Sequence, residues 1–311
     1  MRIVFIGTGK IGLPVLRSLR ESEEHELAGI VTQPDKPAGR AQLLTAPPIK
    51  AALADGTRPI LQPARIKNEE AVEAIRALAP DVIVVMAYGQ ILPRSVLEIP
   101  RVACLNLHAS LLPKHRGAAP IQAALVAGDR ESGITVMYMS EGLDTGDVLL
   151  QSRLEIAGDE TGGSLHDRLA LIAPDALHEA LLQLQRGTAP RIPQDSSKAT
   201  YAPKLSREQG RIAWTDAAAL LERKIRAFNP WPGAFTLLRD PTGHDRKLKV
   251  FRANVVQAAP AAPGEILRSD GSIVIATGDG ALSLGEVQLE GKRRMSVDEF
   301  LRGHPGAFRI A

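Results

Sequence analysis

Asn106 and His108 stand two positions apart in the stretch VACLNLHASLLP, and both residue types can serve acyl-transfer chemistry. Side chains alternate along a strand, so both project to one side, about 7 Å apart. An amide and an imidazole placed together can both donate to one developing oxyanion. The predicted strand ends shortly before the segment SLLPKHRG. This predicts that the pair lies at the carboxyl edge of a sheet, where open α/β folds bind ligands.

Asp144 is the third candidate, in the segment SEGLDTGDVL that follows the strand-like run GITVMYM. It is predicted to leave the sheet at a carboxyl end as well, and so to reach the same crevice. Asp-Thr-Gly also occurs in aspartic proteases. Their chemistry needs two aspartates that share a proton, whereas this chain has one such motif in an α/β context. The simpler alternative for Asp144 is a cap of a turn or helix.

The same segment also contains residue types that bind metals, since Cys104, His108 and His115 lie close in sequence. No His-x3-His or Cys-x2-Cys spacing recurs to complete a tetrahedral set. We therefore expect no metal.

The motif Gly7-x-Gly9-x-x-Gly12 near the amino terminus has two interpretations. It matches a dinucleotide fingerprint, and Asp35 follows Gly12 by 23 residues, near the distance of a ribose-binding acid. A tight turn from strand to helix also needs glycines, and Asp35 lies in a Pro/Gly loop. Both interpretations remain open on the motif alone.

The elements that would position these residues follow a βαβ pattern up to Gly187. The runs Val82–Ala87 and Ile134–Met139 have apolar residues on both faces, as expected for central strands of a covered parallel sheet. We predict an open, doubly wound α/β sheet over residues 1–187 and a Pro- and Ser-rich linker over 188–206. The pattern of residues 207–311 predicts one helix followed by short strands, which favours a small β-barrel or sandwich.

Composition bounds the class of protein. A chain of 311 residues, 44% of them apolar, can bury two cores. The single cysteine rules out an intrachain disulfide, and the apolar run Ile3–Ile6 is too short for a signal or a membrane span. We expect a cytoplasmic protein without membrane contact.

Charge is distributed unevenly along the chain. Residues 1–199 hold 21 Lys and Arg against 23 Asp and Glu, and residues 200–311 hold 17 against 12. The basic excess of the second part suits a polyanionic partner, but an ordinary solvated surface explains it as well.

Several motifs together resemble the folate-dependent formyltransferases. They are TQPDKPAGR, VVMAYGQILP, LNLHASLLPKHRGAAPIQ and GLDTGDVL in the first part, and IRAFNPWPG and ATGDG in the second. LNLHASLLPKHRGAAPIQ and GLDTGDVL resemble the family in general. IRAFNPWPG and the C-terminal strands resemble the branch that formylates methionyl-initiator tRNA.

The resemblance implies a Rossmann-like formyltransferase domain followed by an OB-like barrel that contacts tRNA. It implies that Asn106, His108 and Asp144 are catalytic. It also implies a folate site lined by Ser110, Leu111, Leu112 and Pro113. The formyl donor would be 10-formyltetrahydrofolate, with no metal and no nicotinamide nucleotide, and the chain is expected to act as a monomer.

Two positions depart from the family pattern. Ile11 stands where relatives have an aromatic residue that helps hold the methionyl side chain, and Ala41-Gln42-Leu43 replaces a basic loop, although Arg40 remains. Ile11 and Arg40 are the residues predicted to contact the methionyl group or the tRNA.

The sequence is compatible with three alternative functions. The first is a formyltransferase for another amine, such as an amino sugar nucleotide. The second is an NAD-linked oxidoreductase built on the glycine motif. The third is a noncatalytic RNA-binding protein.

Overall fold

The computed structural model describes residues 1–39, 41–53, 56, 58–239, 243–269, 271–304 and 309–310. They form two compact units. The first comprises Met1–Pro120, Glu131–Glu155 and His166–Ala202, and the second comprises Ile121–Arg130, Ile156–Leu165 and Pro203–Ala311. Residues 188–202, predicted as part of a linker, thus belong to the first unit. In the described part of the chain, no helix is both long and apolar enough to cross a membrane.

The strands are β1 (Arg2–Gly7), β2 (Glu26–Val31), β3 (Lys36–Ala38), β4 (Leu43–Thr45), β5 (Ile60–Leu61), β6 (Val82–Met86), β7 (Ala103–His108), β8 (Arg116–Gly117), β9 (Glu131–Tyr138), β10 (Val148–Glu155), β11 (Tyr201–Ala202), β12 (Ala234–Arg239), β13 (Asp245–Val256), β14 (Ile266–Ser269), β15 (Ser272–Ala276), β16 (Ala281–Leu289), β17 (Met295–Ser296) and β18 (Arg309–Ile310). The helices are α1 (Leu13–Glu21), α2 (Pro48–Ala51), α3 (Glu69–Ala77), α4 (Arg94–Leu97), α5 (Pro120–Ala127), α6 (Gly162–Arg186), α7 (Ala218–Ala227) and α8 (Val297–Gly303).

The first unit is built on a seven-stranded sheet in the order β10-β9-β7-β6-β1-β2-β5. Strands β5, β2, β1, β6 and β7 are parallel, as predicted for a Rossmann-like sheet. Every residue of β6 is buried, so its apolar run is covered on both faces.

Strand β9 departs from the prediction. It runs antiparallel to β7, with His108 opposite Thr135 and Leu105 opposite Tyr138. The expectation of a parallel strand over Ile134–Met139 is therefore wrong. A strand buried on both faces shows the same apolar run in either direction, so the pattern could not tell them apart. Strand β10, antiparallel to β9, has no counterpart among the predicted strands.

Two of the three glycines in the motif, Gly7 and Gly12, are closely packed near the end of β1. A Cβ atom on Gly7 would lie 2.8 Å from the carbonyl oxygen of Met86, and one on Gly12 would lie 3.0 Å from Cζ of Phe5. Asp35 has partners of its own, since its carboxylate accepts hydrogen bonds from Lys50 Nζ at 2.8 Å and Gln62 Nε2 at 2.7 Å.

The second unit holds an antiparallel sheet in the order β14-β15-β16-β13-β12-β18, with β17 beside β16. Helix α7 packs Leu221 and Ile225 into the core of this sheet. The spacing Ser296-x-x-Glu299 predicts a capping box at the start of a short final helix. Ser296 does cap α8, because its Oγ accepts from the backbone N–H of Glu299. The arrangement is an open half-barrel, the fold class expected for this part.

His25 gives the fold a defined response to acid. Burial lowers the pKa of this imidazole below its ordinary value of 6.5. A depressed folded-state pKa stabilises the protein above pH 6.5, and that stability is lost as pH falls through the folded pKa. His25→Leu should therefore flatten the fall in unfolding free energy below pH 6.5 by up to about 1.4 kcal/mol per pH unit. Urea denaturation from pH 7.5 to 5.0 measures this, with His244→Leu at an exposed position as the control.

Candidate active site

Asn106 and His108 lie on β7, with 9% and 6% of their surfaces exposed. Their alternation places them on one side of the strand, as the sequence predicts. Burial of a primary amide is costly unless it is hydrogen-bonded. Within the described part of the chain, the side-chain amide of Asn106 has no hydrogen-bonding partner. It is free to bond to a ligand.

The ring of His108 is held at one nitrogen by a backbone group. Its Nε2 lies 2.9 Å from the carbonyl oxygen of His115. A carbonyl only accepts, so Nε2 carries the hydrogen and Nδ1 of the neutral ring carries the lone pair. The tautomer of His108 is thus set by the carbonyl of His115.

Asp144 reaches His108 from the loop between β9 and β10. Its Oδ2 lies 3.6 Å from His108 Nδ1 and accepts a 2.8 Å hydrogen bond from the N–H of Gly117. Because β9 is antiparallel, its carboxyl end lies beside Leu105 and not beside the end of β7. The proximity therefore comes from the path of the loop.

Burial is the main influence on the charge state of His108 and lowers its pKa below 6.5. The negative charge of Asp144 and the hydrogen bond to His115 oppose this effect, while the His115 ring adds to it. The ring is accordingly neutral at pH 7. The Cys104 thiol nearby on β7 is also protonated, because burial raises its pKa to about 12.

The polar atoms of the predicted folate segment, residues 110–113, form hydrogen bonds with other residues of the protein. Ser110 Oγ donates to the carbonyl of Lys114 at 2.7 Å, and Thr135 Oγ1 donates to the carbonyl of Ser110 at 2.6 Å. Leu112 donates its N–H to Thr135 Oγ1 at 3.1 Å. The apolar side chains of Leu111 and Pro113 in this segment are partly exposed.

The remaining predicted contacts lie elsewhere. Ile11 is buried in a 3₁₀ turn after β1, with 6% of its surface exposed. Arg40 lies outside the described residues. Further along the sequence, Leu43 and Leu44 of β4 are 68% and 72% exposed. Among the described residues, no group of three or more His, Cys, Asp or Glu could hold a metal ion.

Sequence reasoning missed the residues that support the site. Thr135 Oγ1 donates to the carbonyl of Ser110, and Gln194 Nε2 donates to the carbonyl of Asp144. The carbonyl of His115 and the N–H of Gly117 bond to the side chains of His108 and Asp144. No spacing in the sequence indicates such partners, since common polar residues and main-chain groups have no distinctive pattern.

Comparison with known proteins shows similarity along almost the whole chain. Residues 1–181 match the formyl transferase family and residues 204–305 match the formyl transferase C-terminal domain. The methionyl-tRNA formyltransferase of Akkermansia muciniphila is 47% identical over 307 residues, which cover 98% of this chain and 97% of that protein.

Solved structures share the fold. A methionyl-tRNA formyltransferase from Clostridium thermocellum aligns with a TM-score of 0.56 and 18% identity, over 89% of this chain and 100% of that one. HypX from Aquifex aeolicus, in complex with tetrahydrofolic acid, aligns with a TM-score of 0.62 and 21% identity, over 97% of this chain and 47% of that one.

Proposed function

The chain belongs to the formyl transferase family, and from this premise we propose that it transfers the formyl group of 10-formyltetrahydrofolate to the α-amino group of methionyl-initiator tRNA. The product, formylmethionyl-tRNA, serves translation initiation. The observation that carries the proposal is the match of 98% of the chain to a methionyl-tRNA formyltransferase at 47% identity.

The nucleophile needs little activation. An α-amino group titrates near about 7.7 to 8.0, and the ester bond of aminoacyl-tRNA lowers this value further. A large share of the amine is thus neutral at physiological pH. The site has to position the amine and stabilise charge rather than supply a strong base.

His108 and Asp144 together form a receptor for the attacking amine. In the neutral ring, Nδ1 is an acceptor, and it faces the Asp144 carboxylate, another acceptor, at 3.6 Å. Two acceptors at this distance favour a shared N–H donor between them, which an incoming amine provides. When His108 takes up the proton of the amine, Asp144 stabilises the resulting imidazolium.

Asn106 completes the reaction scheme as the donor to the oxyanion. The amine nitrogen forms a bond to the formyl carbon, and the carbonyl oxygen takes up the electron pair. Collapse of the tetrahedral intermediate then breaks the bond from carbon to N10 of the folate. The proton held by His108 passes to N10, so the products are formylmethionyl-tRNA and tetrahydrofolate.

Lys249 on β13 is a candidate contact to the tRNA backbone. Its side chain is exposed on the opposite side of the strand from buried Leu248 and Val250, and in the described residues it has no acidic partner. Lys249→Ala should raise the Kd for methionyl-initiator tRNA by 2- to 10-fold and reduce its salt slope by about 0.7 to 0.9.

The measurement is a filter-binding titration at several salt concentrations. Arg76→Ala is the matched control, because it removes the same charge from an ion pair with Glu73 on α3. Equal salt slopes for Lys249→Ala and the wild type would show that Lys249 makes no phosphate contact.

The function is tested by transfer of labelled formyl from 10-formyltetrahydrofolate to methionyl-initiator tRNA. Uncharged initiator tRNA and a methionyl elongator tRNA are the controls. We expect rapid labelling of the methionyl-initiator tRNA alone. Folate binding without labelling of any methionyl-tRNA would contradict the proposal and direct the search to another amine.

A further inference from the structure

Residues 191–202, here called the strap, are hydrogen-bonded at both ends to other parts of the first unit. Near one end, Ile192 and Val148 exchange backbone hydrogen bonds of 3.0 and 2.8 Å. At the other end, β11 pairs in parallel with β8, so that Tyr201 lies opposite Arg116 and Ala202 opposite Gly117. The strap thus runs from the start of β10 to the segment that follows the SLLP motif.

Gln194 of the strap holds the loop that carries Asp144. Its Nε2 donates to the carbonyl oxygens of Asp144 and Gly146, each at 2.8 Å. Its Oε1 accepts from Nε and Nη2 of Arg116 at 3.1 and 2.9 Å. Both donors and both acceptor positions of the amide are therefore used, which fixes its orientation.

Arg116, which donates to Gln194, is a buried charged residue. The residue is only 3% exposed, and within the described residues it has no carboxylate partner. A buried guanidinium needs polar partners to offset its lost hydration. Gln194 accepts most of the hydrogen bonds of this guanidinium. Movement of the amide would therefore leave a buried charge without its main partner.

Thr200 of the strap holds the backbone that orients His108. Its Oγ1 accepts from the N–H of His115 at 2.8 Å, and its carbonyl accepts from the N–H of Arg116 at 2.8 Å. The carbonyl of His115 is the acceptor for His108 Nε2. Thr200 therefore acts on His108 through one intervening residue.

The two residues held by the strap share an unusual backbone conformation. Asp144 has φ of 52° and His115 has φ of 60°, both in the left-handed region that side-chain-bearing residues seldom adopt. Such conformations persist only where surrounding contacts impose them. In both cases the strap provides these contacts.

We propose that Gln194 and Thr200 are positioning residues for the formyl transfer, holding Asp144 and His108 at their working separation. The inference rests on the proposed function for the reaction that is assayed. The contacts of Gln194 and Thr200 do not depend on which amine is formylated. It assigns a role in the active site to a segment whose composition resembles that of a linker.

The test compares Gln194→Met and Thr200→Val with the wild type in formyl transfer. Methionine and valine keep the size of the side chains and remove their hydrogen bonds. Since a displacement of about 1 Å can cost 10²-fold in rate, we expect kcat to fall about 10- to 100-fold, with KM for methionyl-initiator tRNA changed less than about twofold. Thr200→Ser keeps the hydroxyl and should restore at least a third of the turnover.

Gln183→Met is the matched control, because Gln183 bonds to Glu179 at 2.7 Å on the outside of α6. An unchanged kcat in both Gln194→Met and Thr200→Val would overturn the inference, as would equal losses in Thr200→Ser and Thr200→Val. The Thr200 pair decides the matter if Gln194→Met does not fold.

A second readout separates this inference from the proposed function. The ¹⁵N resonances of the His108 ring report its tautomer without any substrate. In Thr200→Val we expect the Nε2–H tautomer to lose population. If the wild type formylated no tRNA, the proposed function would fail while this readout still tested the strap. An unaltered His108 spectrum in both Gln194→Met and Thr200→Val would contradict the positioning role.

Discussion

Asn106→Ala is expected to lower kcat for formyl transfer by about 10²- to 10³-fold, which corresponds to about 2.7 to 4 kcal/mol of transition-state stabilisation. The amide is 9% exposed and has no hydrogen-bonding partner within the described residues. Its donors are therefore available when negative charge develops on the formyl oxygen. The ground-state carbonyl carries less charge, so KM for the folate should change much less than kcat.

The control is Asn68→Ala at the start of α3, where the asparagine makes no side-chain capping bond. It removes the same group outside the site and should leave kcat within about twofold. Steady-state kinetics, with thermal melting to verify folding, compare the two variants. If Asn106→Ala lowered kcat/KM only by raising KM, Asn106 would contribute to substrate binding and not to stabilisation of the transition state.

Asp144→Asn should lower kcat by about 10²- to 10³-fold. The change removes the charge that faces His108 Nδ1 at 3.6 Å but keeps an oxygen that can accept from the N–H of Gly117. At an effective dielectric constant of about 20, unit charges near 4 Å interact by about 4 kcal/mol. This stabilisation is present only while His108 is an imidazolium, so its loss should affect the step in which the proton is transferred.

The same variant has an independent signature in the titration of His108. The Asp144 charge raises the pKa of His108 against the larger lowering by burial. Its removal should lower that pKa further, because burial then acts unopposed by the carboxylate. Ring resonances in NMR measure the shift. A His108 titration identical to that of the wild type, with kcat also unchanged, would exclude an electrostatic role for Asp144.

Part of the site could be predicted because it follows from strand geometry. The period of two in β7 places Asn106 and His108 on one side whatever surrounds them. The helical apolar spacing that stops before Gly187 likewise agrees with the end of α6 at Arg186. Local chemistry also sufficed at Ser296, whose hydroxyl caps the adjacent turn.

The direction of β9 and the existence of β10 could not be predicted. Both faces of β9 are buried from Ser132 to Tyr138, so its residues give the same apolar run in a parallel or an antiparallel strand. In β10 only Val148 and Leu149 are buried, and the rest shows no sustained alternation. The connection between strands decides such matters, and it is a property of the assembled sheet.

The sequence by itself determined the class of the first sheet, the common side of Asn106 and His108, and the motifs shared with the formyltransferases. Only the tertiary structure decided which groups set the working geometry. His108 is oriented by a carbonyl, Asp144 is held by Gln194 from 50 positions away, and His115 by Thr200 from 85 positions away. Every residue has a carbonyl and nearly every residue has an N–H, so the sequence cannot indicate which of these groups will contact a particular side chain. Folding decides this by bringing distant backbone groups and side chains together.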